Sequence, residues 1–167
     1  MFQIGERVVY GFHGVCTVAE MEERIIDRKK TVFMVLEPQE KHSARFYIPT
    51  HNAAAMAKVK PILSADALIS LMGSEAVRRD NWIQEEKQRK LLYRELISSG
   101  DREKLMQTVR GVYRYKDQQA QGGKRVHLCD DNFIRDAERL LIGEVAAVLQ
   151  MDEDTARQYI RAKLREE

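Results

Sequence analysis

The chain has one tryptophan, Trp82, and it stands among cations. Arg78 and Arg79 precede it, and Lys87, Lys90 and Arg94 follow at i, i+3 and i+7, a spacing that shares one helix face. Arg110 and Arg114 form a further i, i+4 pair. Cations beside a large aromatic suit a polyanion: the charges neutralise phosphates while the indole packs on exposed base or sugar edges. Trp82, Arg78, Arg79, Lys87, Lys90 and Arg94 are therefore the candidate DNA-binding side chains. Two features weigh against this reading. Charge alone fits a solvated helical surface, and Glu85 and Glu86, close to the tryptophan, repel phosphate. The sequence also leaves open whether Trp82 is core or surface. Lone tryptophans are usually core, yet three, four and seven positions on stand Glu85, Glu86 and Arg89.

Residues suited to covalent or metal chemistry are sparse. His13 near Cys16 is the one imaginable nucleophile–base pair, and both fall in a strand–turn segment where structural roles are more frequent. His13, His42, His51 and His127 show no ligand spacing with Cys16 or Cys129, so no metal is expected. No glycine-rich phosphate loop occurs. The expectation is a protein without enzymatic activity, cofactor or small-molecule substrate. Two cysteines far apart in unlike segments do not suggest a disulfide framework. The longest apolar run, Leu140 to Leu149, is interrupted by Glu144, and the first residues lack the pattern of a secretory signal. A cytoplasmic location without membrane contact is the default.

The elements that must position these residues fall into two halves. Residues 1–60 suggest short strands: Arg7 to Tyr10, Val15 to Glu23, Thr31 to Leu36 and Arg45 to Ile48. Gly11 and Gly14 bracket a turn, Asp27 to Lys30 form a charged one, and Pro38 and Pro49 end strands. In the last strand Phe46 and Ile48 point one way and Arg45 and Tyr47 the other. A short linker is expected near Val59-Lys60-Pro61, and from about residue 64 the period becomes helical. Ser64 caps a helix that stops at Gly73. A long helix is predicted from Glu75 to Ser98, with an apolar stripe beginning at Leu91 and Leu92. Leu105, Val109, Val112 and Tyr113 mark the next helix, Gly122-Gly123 a loop. Asp130 and Asp131 begin a helix that buries Phe133, Ile134, Ala137, Leu140, Leu141, Val145 and Val148, and Asp152 to Asp154 open the last. The net charge is +2, but residues 78–125 hold 13 basic side chains against 7 acidic, and residues 126–167 hold 6 against 10. Positive charge thus concentrates around the tryptophan. The expected fold class is α+β with two domains: a small bent sheet or open barrel over 1–60, a linker over 61–65, and a compact all-helical bundle over 66–167.

Several stretches carry a resemblance. They are Phe2-Gln3-Ile4-Gly5-Glu6-Arg7-Val8-Val9-Tyr10, then His13-Gly14, Val18, Phe33-Met34-Val35-Leu36, Arg45-Phe46-Tyr47-Ile48-Pro49 and Asn52-Ala53. Asn81-Trp82 and Leu141-Ile142-Gly143-Glu144-Val145 extend it across essentially the whole chain. Together they resemble the CarD/CdnL family of bacterial RNA polymerase-binding transcription regulators. The N-terminal motifs also resemble the polymerase-binding domain of transcription-repair coupling factor, here without helicase motifs.

The resemblance implies a Tudor-like N-terminal domain that docks on the β-subunit lobe of RNA polymerase by strand pairing and charged side chains. Arg24, Arg45 and Tyr47 are the candidate polymerase-binding residues. It further implies that Trp82 wedges into the promoter minor groove, with little sequence specificity, at the upstream edge of the bubble and stabilises the open complex. The location becomes nucleoid-associated through the polymerase. The chain departs from the family where some members place basic residues after the tryptophan, since Ile83-Gln84-Glu85-Glu86 stands there. The competing reading is a polymerase-bound adaptor whose helical domain recruits a protein partner instead of DNA.

Overall fold

A computed structural model describes all 167 residues, which divide into two compact units, Met1–Ile62 and Leu63–Glu167. Unit one is a five-stranded antiparallel sheet of order β4-β3-β2-β1-β5. Its strands are β1 (Arg7–Tyr10), β2 (Gly14–Ile26), β3 (Lys29–Pro38), β4 (Phe46–Pro49) and β5 (Val59–Pro61). A single 3-10 turn, Gly11–His13, joins β1 to β2, and Gly14 follows it at φ 77°, a conformation that glycine adopts without steric cost. The β2–β3 hairpin closes on two residues, Asp27 and Arg28, at φ 50° and 63°. Two positive φ values match the twist of the flanking strands, so this charged pair makes a tight hairpin turn. Lys29 and Lys30, expected in the turn, already pair with Ile26 and Ile25.

One irregularity decides which side chains face out. The β2–β3 register shifts between Val18 and Glu20, so Ala19 is an extra residue. Cys16 and Val18 lie in the core before the bulge, and Met21 packs against it after the bulge. Strand alternation has period two, so the inserted residue turns Glu20, Glu22 and Arg24 outward together. Val8, Cys16, Val18, Met34, Leu36, Ile48 and Val59 form the core of this unit. The short helix α1 (Ala53–Met56) covers it, with Asn52 Oδ1 accepting from the Ala55 amide as N-cap.

The linker expected at Val59-Lys60-Pro61 is instead β5, paired with β1 through Val59↔Tyr10, Lys60↔Val9 and Pro61↔Val8. Three residues are too few to display alternation, but Val59 is buried, and the proline sits at the end of an edge strand where no donor is required. Of the 61–65 stretch, Ser64 is already a helix cap and Ala65 helical.

Unit two holds six helices: α2 (Ala65–Met72), α3 (Glu75–Arg78), α4 (Glu86–Ser99), α5 (Arg102–Gln121), α6 (Leu128–Leu149) and α7 (Glu153–Arg165). Side chains cap four of the starts where the sequence suggested breaks or where serine and aspartate stand: Ser64, Ser74, Asp101 and Asp152 accept from Ala67, Val77, Lys104 and Thr155. Gly100 ends α4 in the left-handed conformation. The core joins Leu68, Met72, Val77, Leu96, Leu105, Val109, Phe133, Ala137, Leu141, Ile160 and Leu164 among others. No helix is long and apolar enough to cross a membrane.

The long helix predicted from Glu75 to Ser98 is broken. It ends at Arg78, residues 79–85 are extended or irregular, and α4 begins at Glu86. The interruption is made by polar side chains. Asp80 Oδ1 accepts the Trp82 amide at 3.0 Å, Gln107 Nε2 donates to the Arg79 carbonyl at 2.9 Å, and Asn81 Nδ2 donates to Thr108 Oγ1 at 3.0 Å. These bonds offer the backbone an alternative to the helical ladder. The stripe of α4 is also displaced: Leu91 is 59 % exposed, and Arg89, Tyr93 and Leu96 face inward.

Candidate functional site

Because Trp82 lies outside a helix, its surroundings come from α4 and α5 and not from residues three or four places on. The indole is half-buried and packs against the helical core. Tyr115 of α5 stacks on it, with ring centroids 4.3 Å apart and planes inclined by 24°. The Arg89 guanidinium carbon lies 4.6 Å from the indole centroid. Trp82 Nε1 donates to Gln84 Oε1 at 3.3 Å. The ring is thus neither core nor free. It borders an open groove of about 310 Å³ shared with Asp80, Gln84, Arg114, Tyr115 and Gln118.

The structure sorts the candidate cations. Arg78 and Arg79 are exposed and line a small depression with Arg110 and Arg114; Arg114 and Asp80 join this depression to the groove beside Trp82. Lys87, Lys90 and Arg94 are exposed on α4, but they lie roughly 100–160° around the helix from Arg89, the residue that faces Trp82. They form a separate face, where Lys90 is paired with Glu86 at 3.1 Å. Arg110, paired in sequence with Arg114, is buried: its Nη1 donates to the Leu164 carbonyl at 2.8 Å and to the Glu166 carbonyl at 2.5 Å. Burial, and then the charges of Arg114 and Arg78, hold its pKa below the ordinary arginine value. Arg78, Arg79, Arg110 and Arg114 thus line one depression, which concentrates positive charge at this corner.

Two charged residues that matter here escape a reading by local composition. Arg89 is 3 % exposed and Asp130 is fully buried, and they pair by two bonds of 3.0 Å. Tyr93 Oη donates to Asp130 Oδ1 at 2.6 Å, and burial followed by that bond pushes the phenol pKa well up. A signal for the pair exists in the sequence: Arg89 is in phase with Tyr93 and Leu96, and Asp130 with Phe133, Ile134 and Ala137. A charge riding an apolar stripe in each of two helices is the mark of a buried ion pair. Expected as a helix-dipole residue, Asp130 is chiefly a core partner.

On the sheet, the outward face contains Arg24, Arg45 and Tyr47. Arg24 pairs with Glu22 at 2.7 Å, and its guanidinium carbon lies 4.5 Å from the Tyr47 ring centroid. Arg45 just precedes β4 and reaches Glu20 at 3.3 Å and Glu37 at 3.7 Å. Tyr47 is 41 % exposed. Beneath these chains Val35 is fully buried on the outer side, opposite Tyr47 in the β3–β4 register. The three residues thus make one surface beside β4, an edge strand paired only with β3. An edge strand presents unpaired backbone groups along its free side.

His13 and Cys16 do not form a dyad. The His13 ring packs between Tyr10 and Phe46 at 5.1 and 4.2 Å, while the Cys16 thiol is buried against the Gly14 carbonyl. Burial raises that thiol to about 11, which removes its thiolate at neutral pH.

Residues 2–60 match the family model of the CarD-like/TRCF RID domain. No curated protein matches the chain. The matched residues end within β5 and contain the bulge, the edge strand and Arg24, Arg45 and Tyr47; the helical unit lies outside the match. This family is one of protein-interaction domains that bind RNA polymerase, and it is not a known enzyme family. With the five-stranded sheet and the matched residues together, the N-terminal unit of this chain is similar to the CarD-like/TRCF RID domain.

Proposed function

We propose that this chain is a transcription regulator that docks on the RNA polymerase β-subunit lobe through its sheet and holds promoter DNA through the groove beside Trp82. The carrying observation is that groove: a half-buried indole braced by Tyr115 and bordered by Arg114, with Arg78 and Arg79 continuing the positive surface. Three guanidiniums placed for phosphates and one aromatic edge placed for a base step need no sequence-specific contact. Contacts available only when the upstream bubble edge is melted favour the open complex by differential binding. On the sheet, the free side of β4 offers backbone pairing, with Arg24, Arg45 and Tyr47 beside it. The protein associates with the nucleoid through the polymerase.

The test is open-complex lifetime on a fluorescent promoter with wild type and Trp82→Ala. Wild type lengthens the lifetime, and the variant loses the effect while still binding polymerase. One or two kcal/mol of lost contact changes the open-complex population several-fold.

A second reading, a polymerase-bound adaptor that recruits a protein, is favoured by one observation. Lys87, Lys90 and Arg94 lie off the Trp82 face, so that surface carries fewer cations than the sequence suggested. Wild type and Trp82→Ala both binding polymerase, with neither altering the lifetime, would put this reading first.

A further inference from the structure

We propose that Arg89 is the positioning residue for Trp82: its buried guanidinium ties the extended 79–85 segment to α4 and α6 and sets where the indole faces. This rests on Trp82 being the DNA contact. Arg89 makes two sets of bonds with different consequences. Nε and Nη2 grip the two Asp130 oxygens at 3.0 Å each, which joins α4 to α6. Nη1 donates to the carbonyls of Ile83 at 3.3 Å and Gln84 at 2.9 Å, the two residues directly after Trp82. The segment is held on the other side by Asp80, which accepts the Trp82 amide, and by Asn81 on Thr108. The same guanidinium lies 4.6 Å from the indole centroid and 5.8 Å from that of Tyr115, which stacks on the indole.

A core ion pair between two helices needs only the Asp130 bonds. The bonds to the two carbonyls and the approach to the ring serve the segment. Only a planar guanidinium does both at once, because its donors fan out in a fixed plane, whereas an ammonium is a single point with three donors. Burial opposes the charge, but the Asp130 hydrogen bond and charge overcome it, so Arg89 remains a cation. Asp130 is in turn fixed by Tyr93 Oη.

Trp82 is the only tryptophan, so its fluorescence reports on this segment directly. Two variants of the full chain serve. Arg89→Lys keeps a cation opposite Asp130, and Arg89→Gln combined with Asp130→Asn leaves no unpaired buried charge. We expect the variants to retain helical circular dichroism while acrylamide quenching of Trp82 rises about twofold, as for a locally released segment. Emission moves to longer wavelength, and the open-complex lifetime falls to that with Trp82→Ala. Adding Arg89→Lys to Trp82→Ala shortens it no further, because both changes remove the same contact. Glu138→Gln, whose partners are Arg161 and Tyr113, lowers thermal stability without altering quenching or lifetime. Folded Arg89 variants with wild-type quenching and emission overturn the proposal. If wild type itself does not lengthen the lifetime, the DNA reading fails, and the fluorescence comparison alone decides whether Arg89 positions the indole.

Discussion

At the scale of single residues, surface and buried charges of this chain do different work. Arg45 makes exposed pairs with Glu20 and Glu37, and such pairs contribute little to folding. Arg45→Ala is therefore expected to leave the melting temperature nearly unchanged while weakening polymerase binding about tenfold, as for a contact residue in an interface. Titration of the variant against polymerase checks it, and unchanged affinity removes Arg45 from the contact. Glu138 is the opposite case. It is buried, which opposes its charge, but bonds of 2.9 and 3.0 Å from Arg161 and a short bond from Tyr113 prevail and hold its pKa below the ordinary 4.5. A carboxylate with a depressed native value stabilises the fold fully above its unfolded value. That contribution disappears as pH falls below about 4.5 through the lower native value. Glu138→Gln is expected to flatten stability against pH in this acid range, measured by urea melts. An unchanged acid slope would show that Glu138 has the same proton affinity folded and unfolded.

At the scale of elements, the one-residue bulge at Ala19 and the broken helix before Trp82 do the positioning. The bulge determines that Glu20, Glu22 and Arg24 face outward with Tyr47. Deleting Ala19 restores continuous alternation and drives these three charges toward Met34 and Val18, or else shifts the register of the whole hairpin. The expected loss is more than about 3 kcal/mol, since a buried unpaired charge costs at least that. A thermal melt near that of wild type would mean that the bulge is dispensable. The break at 79–85 arose where periodicity was least informative. Val77, Trp82 and Ile83 do not share a helical phase, and the bonds that hold the segment come from Gln107 and Thr108, distant in sequence, and from Arg89, itself anchored on the distant Asp130. By contrast the starts of α2 and α7 were legible, because Ser64 and Asp152 cap them through bonds three residues away.

At the scale of the whole molecule, two units each carry one proposed contact, so binding to polymerase raises the effective concentration of the second unit at the promoter. Three exposed guanidiniums, Arg78, Arg79 and Arg114, set a limit on phosphate contacts. The logarithm of DNA affinity should fall with the logarithm of salt with a slope of about −3, and Arg114→Ala should reduce that slope by about 1. A slope near zero would favour the adaptor reading. The division into sheet and helices, most strand and helix positions, and the helix starts at Ser64 and Asp152 followed from sequence alone, because alternation, helical phase and capping are interactions between residues within a few places of one another. The outward trio Arg45, Tyr47 and Arg24 was legible in part for the same reason: alternation orients Tyr47 and Arg45, while only the bulge turns Arg24 to join them. Tertiary structure decided the rest. β5 exists because β1 lies beside it. Lys87, Lys90 and Arg94 are separated from Trp82, and Arg110 withdraws under the end of α7. Trp82 itself is placed by Tyr115, 33 residues on, and by Arg89 held on Asp130, 41 residues further. Such contacts join side chains that no local period relates, and burial of opposite charges becomes favourable only once both helices have met.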